Sequence, residues 1–375
     1  MSVRLVGAAL VVALGLCFEV EAEDGVRLNQ IQVIGSHNSY HIAPHPNVLR
    51  LIDQAGRGRS EGLDYTHRLF AEQFSSLGIR QIELDVFADP KGGHYGKPSA
   101  RAILQGQGLE PGGDPCSDPK FNEPGLKVFH VQDIDFLSRA TTFDDALAQV
   151  RAWSMAHPRH VPILILVETK QAAIPLLPTK PMPFDKAEFD AIDSAIMATF
   201  GRDRVITPDE LRGDSATLPE AIRARGWPTL EASRGKVLFA LDDEGAMRDS
   251  YLEGHPALRG RLLFVSVAPD HPAAAWMKVN DAVEDFDRIQ NLVRNGFLVR
   301  TRADADTVQS RKNDPSRREK ALGSGAQFVS TDYAEPDLRF STYQVRFPGG
   351  VVARSNPING PKVEGDLEAL PVPSK

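Results

Sequence analysis

The residues best suited to chemistry are two histidines placed at the ends of apolar, strand-like runs. His37 follows the run 31–34, and His130 ends the run that begins at Lys127. Histidine titrates near neutral pH, so each side chain can protonate a leaving oxygen or stabilise negative charge on phosphorus. We interpret the other histidines, which lack this placement, as surface or loop residues.

Carboxylates in similar positions are candidate metal ligands. Glu83 and Asp85 share one face of a predicted strand because side chains alternate along a strand, and Glu168 ends another apolar run. Buried carboxylates repel one another and are costly, and a bound cation removes both problems. With the Asn38 carbonyl they form an all-oxygen set that suits calcium or magnesium rather than zinc. The open alternative is that Glu83 or Glu168 pairs with a lysine or arginine across the fold.

Basic side chains near these carboxylates are candidates for binding substrate. Lys170 lies two residues beyond Glu168 and can hold a phosphate or pair with a neighbouring carboxylate. Arg300 and Arg302 end a later strand-like run, and Asp332 ends the last one. These three side chains can bind sugar hydroxyls or phosphate, or pair with one another.

The elements that must position these residues are strands that alternate with helical patterns. Eight runs rich in Val, Ile, Leu and Phe are typical of strands buried on both faces: 31–34, 79–87, 127–131, 162–168, 236–241, 261–267, 296–301 and 327–331. Helical patterns open at Thr142, Asp185 and Asn280, and the run 204–207 is interpreted as part of a long connection. The alternation predicts an α/β protein with a TIM-like (β/α)8 barrel, whose strand ends meet at one mouth.

Three long loops after predicted strands are expected to surround that mouth: 43–62, 90–124 and 172–184. The last one is apolar but interrupted by prolines. Its side chains either make transient contact with a membrane surface or pack on the barrel rim. The barrel is expected to span 23–345, followed by a poorly ordered Pro/Gly-rich tail over 346–375.

The N-terminus and the composition bear on location and partners. The apolar run 5–18 and the small-residue site ending at Ala22 predict a signal peptide over 1–22, and therefore a secreted or periplasmic protein. Loss of Cys17 with this peptide leaves Cys116 alone, which excludes an intrachain disulfide. The net charge of −7 argues against nucleic-acid binding, and we expect a monomer.

Four segments resemble motifs of the calcium-dependent phosphatidylinositol-specific phospholipase C family of secreted bacterial enzymes. They are Gly-Ser-His-Asn-Ser-Tyr at 35–40, Ile-Glu-Leu-Asp-Val at 82–86, Phe-His-Val-Gln-Asp at 129–133 and Val-Glu-Thr-Lys at 167–170. The resemblance implies a TIM-like barrel of the phospholipase C-like phosphodiesterase type. Such an enzyme cleaves phosphatidylinositol to diacylglycerol and an inositol phosphate, often through a cyclic phosphate.

The resemblance also implies a role for each candidate residue. His37 stabilises the charge on phosphorus, His130 protonates the departing diacylglycerol oxygen, and Glu83 or Glu168 removes the proton from the attacking inositol hydroxyl. The implied calcium ligands are Asn38, Glu83, Asp85 and Glu168. In calcium-independent relatives an arginine replaces the metal, and no arginine stands beside Glu83 in this motif, which favours the calcium version.

Two other functions remain open at this point. A glycerophosphodiester phosphodiesterase shares the barrel and a histidine followed by an aspartate, here His130 and Asp133. Its first strand usually ends in His-Arg-Gly, whereas this chain has His37-Asn38-Ser39. The second alternative is a barrel without catalytic activity that binds inositol lipids or glycans.

Overall fold

The computed structural model describes residues 25–370, so the predicted signal peptide over 1–22 and Cys17 lie outside the described residues. The described residues form eleven strands. In chain order they are β1 (Ile31–Ser36), β2 (Gln81–Phe87), β3 (Lys127–Val128), β4 (Ile163–Thr169), β5 (Val205–Ile206), β6 (Val237–Leu241), β7 (Leu263–Ser266), β8 (Ala274–Asp281), β9 (Leu298–Arg302), β10 (Phe328–Thr331) and β11 (Ala353–Ser355).

Helices separate most of these strands. In chain order they are α1 (Pro46–Gln54), α2 (Phe70–Ser76), α3 (Ser99–Gly106), α4 (Phe143–Ala156), α5 (Lys186–Phe200), α6 (Pro208–Arg212), α7 (Leu218–Arg225), α8 (Leu230–Ser233), α9 (Gly245–Leu252), α10 (Phe286–Arg294), α11 (Val308–Lys312) and α12 (Ser316–Gly323). No helix in the range 25–370 is long and apolar enough to cross a bilayer.

Eight parallel strands close into a barrel, which confirms the predicted TIM-like fold. The order around the ring is β1, β2, β4, β6, β7, β8, β9 and β10, and β1 pairs with both β2 and β10. Gly35 makes the closure possible, because a Cβ at this position would lie 1.9 Å from the Gln81 side-chain oxygen. The ring is buried on both faces, as the Val, Ile, Leu and Phe content of its strands predicts.

The predicted strands differ from the structure in three places. The run 127–131 supplies only the short β3, which pairs antiparallel with β2 outside the ring. The ring strand that the sequence analysis missed is β8, whose first residues are Ala-Ala-Trp and lack the β-branched side chains typical of a strand. The run 204–207 contributes β5, which pairs with the start of β6.

The predicted helix starts agree with the structure where a cap defines them. The Thr142 hydroxyl accepts a hydrogen bond from the Asp145 amide at the start of α4. Asp185 and Glu188 form a capping box at the start of α5, which ends at Gly201. The helix predicted to open at Asn280 begins only at Phe286, because residues 274–281 belong to β8.

The C-terminal segment is not a poorly ordered tail over the described residues. Strand β11 pairs antiparallel with β1 at the outside of the barrel. Glu368 forms an ion pair with Arg80, whose side chain is almost fully buried. Residues 346–370 therefore pack against the barrel, and β11 pairs with the first residues of β1, before the point where β1 meets β2.

Two of the three predicted loops contain helices. Loop 43–62 includes α1 and loop 90–124 includes α3, and a small cluster that includes Val48, Ala100 and Leu104 packs these helices together. Loop 172–184 contains no helix or strand. All three follow ring strands, so they stand at the face of the barrel where the strands end.

Candidate active site

His37 lies in the first turn after β1 and is held by a carboxylate. Its Nδ1 is 2.8 Å from Asp332 Oδ1, and its Nε2 is 3.5 Å from Glu83 Oε1. Asp332 directly follows β10, and its Oδ2 is 3.4 Å from the Arg302 guanidinium. The pairing of β1 with β10 therefore brings together two residues almost three hundred positions apart.

The surroundings of His37 favour a neutral imidazole. Burial, then the charge of Arg302, lowers the pKa of His37 to about 3, although Asp332 acts in the opposite direction. Burial would raise the pKa of Asp332, but His37 and Arg302 outweigh burial and hold this pKa well below its usual range. His37 thus donates its Nδ1–H to the Asp332 carboxylate. Its Nε2, which carries no proton in this tautomer, faces Glu83.

Oxygen atoms of several carboxylates converge beside His37. Ligand atoms of Glu83, Glu168 and Asp242 lie within 4.8 Å of one another. Asp85 joins this cluster through Lys170, whose ammonium is 2.9 Å from Asp85 Oδ2 and 2.8 Å from Glu168 Oε1. The three predicted carboxylates are therefore neighbours, and Asp242 is an additional member that the sequence analysis missed.

Basic side chains pair with part of this cluster, as the alternative of a lysine or arginine partner for Glu83 or Glu168 predicts. Arg300 donates to Glu83 Oε2 at 2.6 Å, and Lys278 lies 3.1 Å from Asp242 Oδ2. An arginine from β9 thus reaches Glu83 although none stands beside it in the motif. Lys170 and Arg302, the predicted substrate-binding residues, are both engaged in ion pairs, with Arg302 bound to Asp332.

Burial and mutual repulsion make the carboxylates difficult to ionise. Burial raises the pKa of Glu83 to about 8, with Asp242, Asp85 and Glu168 adding to the shift and Arg300 opposing it. Burial and the charge of Glu168 raise the pKa of Asp85 to about 7, against the effect of Lys170. The pKa of Asp243, the residue after Asp242, rises to about 7, mainly through burial. A further positive charge would relieve all these groups.

The residues present fit a calcium ion in donor chemistry. Asn38 Oδ1 and Asp242 Oδ1 are buried and accept no hydrogen bond from the described residues. Asn38 takes a left-handed backbone conformation, with a φ of 43°, and its Nδ2 donates to the Tyr65 hydroxyl at 3.3 Å, which leaves Oδ1 as an acceptor. Carboxylate and amide oxygens are the ligands that calcium prefers.

The charges of the site lead to the same conclusion. Five carboxylates stand in or beside the cluster: Glu83, Asp85, Glu168, Asp242 and Asp243. Three cationic side chains pair with them: Lys170, Lys278 and Arg300. The ionised cluster therefore keeps two negative charges, which one divalent cation would neutralise.

His130 is held by a second carboxylate that is shared with another histidine. His130 Nδ1 lies 2.7 Å from Asp135 Oδ2, and His41 Nε2 lies 2.8 Å from the same oxygen. The other nitrogen of His41 is 2.9 Å from the Tyr65 carbonyl oxygen. Both ring nitrogens of His41 therefore face hydrogen-bond acceptors, the Asp135 carboxylate on one side and the Tyr65 carbonyl on the other.

This arrangement fixes the orientation of His130. Burial would raise the pKa of Asp135, but the two histidines outweigh it and hold this pKa well below the usual range. Asp135 therefore stays ionised and accepts the Nδ1–H of His130, which leaves Nε2 as the nitrogen open to reaction. His130, Glu168 and Lys170 line one pocket of about 560 Å³.

Three histidines differ from the surface role expected for them. His41 is fully buried. His67 is also buried and donates from Nε2 to the His37 carbonyl at 2.8 Å, and burial lowers its pKa to about 4. His160 is buried against the Ser154 hydroxyl and precedes the start of β4, whereas Glu168 stands near the end of that strand. His41 and His67 therefore hold Asp135 and the His37 backbone from behind the site. Their positions in the sequence did not predict this role.

The missed residues left different signals in the sequence. Asp242 and Asp243 directly follow an apolar run, the same placement that singled out Glu168. Lys278 stands on β8, the strand that was not predicted. Asp135 lies five positions after His130, but the turn that brings it back depends on the left-handed conformation of Asp133, whose φ is 70°.

A (β/α)8 barrel with two carboxylate-held histidines beside an oxygen-rich cluster defines the chain as an enzyme of the barrel phosphodiesterase class. The family model described as phosphoinositide phospholipase C, Ca2+-dependent, matches residues 26–357. The chain therefore belongs to the Ca2+-dependent phosphoinositide phospholipase C family and is a phosphatidylinositol-specific phospholipase C-like enzyme.

Solved structures of similar fold include calcium-dependent enzymes from a Streptomyces and a Pseudomonas species. A Ca2+-dependent phosphatidylinositol-specific phospholipase C from Streptomyces antibioticus superposes with a TM-score of 0.52 at 19% identity, over 83% of this chain and 96% of its own. A calcium-dependent phosphoinositol-specific phospholipase C from a Gram-negative Pseudomonas species gives 0.52 at 15% identity, over 89% and 97%. Its myo-inositol complex gives 0.51, also at 15% identity, over 89% and 96%. No curated protein sequence matches the chain significantly.

Proposed function

We propose that this protein is a secreted or periplasmic, calcium-dependent phospholipase C that cleaves phosphatidylinositol to diacylglycerol and a cyclic or hydrolysed inositol phosphate. The proposal depends most on one observation. Two histidines, each held through Nδ1 by a carboxylate, stand beside a cluster of carboxylate oxygen atoms that keeps a negative charge: His37 lies 3.5 Å from Glu83, and His130 lines one pocket with Glu168. Inositol is a ligand in the Pseudomonas relative, which agrees with this substrate class.

Calcium is the proposed cofactor, and its candidate ligands are oxygen atoms of Asn38, Glu83, Asp85 and Glu168. Asp242 joins this set because one of its oxygen atoms is buried without a hydrogen-bond donor. An ion held there supplies Lewis acidity to the phosphate and to the attacking inositol hydroxyl. Lys170 bridges Asp85 and Glu168, so we propose that it shifts toward the substrate phosphate when the site is loaded.

The side chains provide the proton transfers. Glu83 or Glu168, as an ionised carboxylate, removes the proton from the attacking hydroxyl. His37 takes up a proton at Nε2 only when a negative charge such as a phosphate arrives, and it then stabilises charge on phosphorus. His130 gives its Nε2 proton to the departing diacylglycerol oxygen, while Asp135 stabilises the imidazolium before transfer.

Contact with a membrane surface is part of the proposal. Large aliphatic side chains are exposed in segments that follow ring strands, and Leu338 after β10 and Leu176 after β4 are 78% and 71% exposed. These segments stand at the face that carries the site. A net charge of −7 provides no general attraction to anionic lipid, so such local apolar contacts would carry the binding.

The membrane contact is tested with Leu338→Ser, and Met155→Ser serves as the matched control. Met155 is an exposed apolar residue near the end of α4 that leads back to the start of β4. Leu338→Ser should lower activity on phosphatidylinositol vesicles roughly tenfold and leave activity on a soluble short-chain lipid in place. Equal losses on both substrates would contradict membrane contact.

The activity is tested by release of inositol phosphate from phosphatidylinositol, with calcium and with a chelator. Wild type should release product only with calcium, and His37→Ala should lose nearly all of it. Cleavage of glycerophosphodiesters without cleavage of phosphatidylinositol would favour the glycerophosphodiester phosphodiesterase alternative. Turnover of neither substrate, with retained binding, would favour a barrel that only binds. N-terminal sequencing of the mature protein from the cell exterior tests the predicted cleavage after Ala22.

A further inference from the structure

We propose that a groove beside the active-site pocket binds one acyl chain of the lipid substrate, an inference that rests on the proposed function. The groove has a volume of about 450 Å³. Helices α1 and α3 and the loop 172–184 form its walls, through residues that include Leu51, Ile52, Ile103, Ile174 and Leu177. Its size lies within the range of small-molecule sites in proteins.

The chemistry of the lining selects the occupant. Of the described residues that line the groove, Arg59 carries the only charge, and most of the others are aliphatic. A sugar or phosphate would leave its polar groups unpaired against such a surface, at a substantial cost. A saturated hydrocarbon chain makes no such demand and gains free energy in proportion to the apolar area removed from water.

The position of the groove connects it to the reaction. Ile174 lines both the groove and the pocket that contains His130, so the two spaces share a wall. Ile134, which also lines the groove, lies in the same turn as Asp135, the partner of His130. The proposed leaving group of His130 is diacylglycerol, whose acyl chains extend from the glycerol that carries this oxygen. A chain that leaves the pocket past Ile174 therefore enters the groove.

Hydrogen bonds to one residue hold the walls in place. Asp133 Oδ1 accepts from the Ser99 amide and the Thr179 hydroxyl, each at 2.9 Å, and its Oδ2 accepts from the Thr179 amide at 2.9 Å. The Asp133 carbonyl accepts from the Ala100 amide at 3.2 Å. The start of α3 and the loop 172–184 are thus fixed to the turn that follows His130. Walls held by hydrogen bonds within the protein lower the entropic cost of binding a chain between them.

The outer end of the groove is open. Ile103 and Leu176 border it and are 46% and 71% exposed. Leu176 also belongs to the apolar side chains proposed to contact the membrane. A lipid chain can therefore remain partly in apolar surroundings as it passes from the bilayer to the groove.

The test uses monomeric phosphatidylinositols, so that membrane binding does not contribute. We would measure kcat/KM for the dibutyroyl, dihexanoyl and dioctanoyl lipids below their critical micelle concentrations. Hydrolysis of inositol cyclic phosphate, which has no acyl chain, is measured in parallel to correct each variant for any general loss of catalysis. In wild type, kcat/KM should rise with chain length, by up to roughly fourfold for each methylene that becomes fully buried.

Two groove variants and one control separate the explanations. Ala55→Phe places a ring in the groove from the exposed end of α1 and keeps the surface apolar. Ile103→Ser combined with Ile174→Ser makes the lining polar. Both variants should flatten the dependence on chain length. Met155→Ser, which removes an exposed apolar side chain away from the groove and the site, should keep the wild-type dependence.

The outcomes are distinct. An unchanged or steeper dependence in Ala55→Phe would overturn the groove, because a general apolar surface gains from an added ring. Loss of activity confined to vesicles in the double variant would also overturn it and assign these residues to membrane contact. Failure of wild type to cleave any of the lipids would contradict the proposed function itself. Cleavage with no dependence on chain length would contradict the groove alone.

Discussion

The two histidines of the site are held in the same way, but the side chains behind their carboxylates differ. His37 donates to Asp332, whose other oxygen faces the guanidinium of Arg302. His130 donates to Asp135, which is shared with the buried imidazole ring of His41. Arginine keeps its charge under all ordinary conditions, whereas an imidazole ring can also be neutral. The comparison shows that the same histidine–carboxylate geometry can be built in front of a permanent cation or in front of a second histidine.

The difference is consistent with opposite roles. Burial and Arg302 lower the pKa of His37, so this side chain rests neutral and is ready to accept a proton. No arginine contacts the Asp135 carboxylate in the described part of the chain, and both of its partners are histidines. We therefore assign proton uptake to the His37 side and proton donation to the His130 side.

The largest expected effect separates donation from uptake. His130→Ala should reduce cleavage of phosphatidylinositol by roughly 10²–10⁴-fold, because the alkoxide of diacylglycerol is a poor leaving group. The same variant should recover most of its activity on an inositol phosphodiester with a p-nitrophenyl leaving group, which needs no proton. His37→Ala is the control and should remain impaired on both substrates. Recovery in His37→Ala instead would reverse the assignment.

A second prediction compares the two carboxylates through their amide variants. In Asp135→Asn, the new amide can donate to one ring nitrogen of His41 and accept from His130, so the chain of hydrogen bonds to His130 can persist. In Asp332→Asn, Arg302 cannot lose its charge, and a buried cation is left facing an amide. We expect Asp332→Asn to lower the free energy of unfolding by roughly 3 kcal/mol and Asp135→Asn by about 1 kcal/mol.

Urea unfolding in the presence of a chelator measures this difference, and wild type under the same conditions is the reference. The kcat of Asp135→Asn should also exceed that of Asp332→Asn. Equal losses of stability would show that the nature of the countercharge behind each carboxylate is unimportant.

The carboxylate cluster between the two histidines gives a smaller, pH-dependent effect. Folding raises the pKa of Asp85 from 3.8 to about 7 and that of Glu83 from 4.5 to about 8, in each case mainly through burial. A raised pKa means that the folded protein prefers the protonated form. Its contribution to stability is complete below the unfolded values and is lost as the pH rises through the folded values. Without calcium, the protein should therefore become less stable between about pH 4 and pH 8.

Added calcium should reverse this trend, because only the ionised carboxylates bind it and binding to the folded state stabilises that state. Thermal melting at a series of pH values, with chelator and with calcium, measures both effects. Magnesium at the same concentration is the control. If the melting temperature of the calcium-free protein instead rises toward pH 8, the raised pKa values of the buried carboxylates are contradicted.

Much of the site was predictable because its residues carry a local signature. Strand alternation places Glu83 and Asp85 on one face, and the apolar runs before His37 and Glu168 indicate where ring strands end. The barrel follows from the alternation of elements, even though 127–131 is not a ring strand and the alanine-rich β8 was missed. The barrel alone brings these strand ends together, so the cluster could be expected without knowledge of a single contact.

Only the tertiary structure decided the partners of these residues. Asp332 meets His37, and Arg300 meets Glu83, because β10 and β9 close the ring against the first strands, across more than two hundred positions of sequence. His41 is buried against Asp135 because a turn after His130 brings this carboxylate to it, and the segment 346–370 is ordered because β11 pairs with β1. Residue type and spacing determine which groups can react. Long-range packing determines which charge stands beside each group, and so which proton it holds.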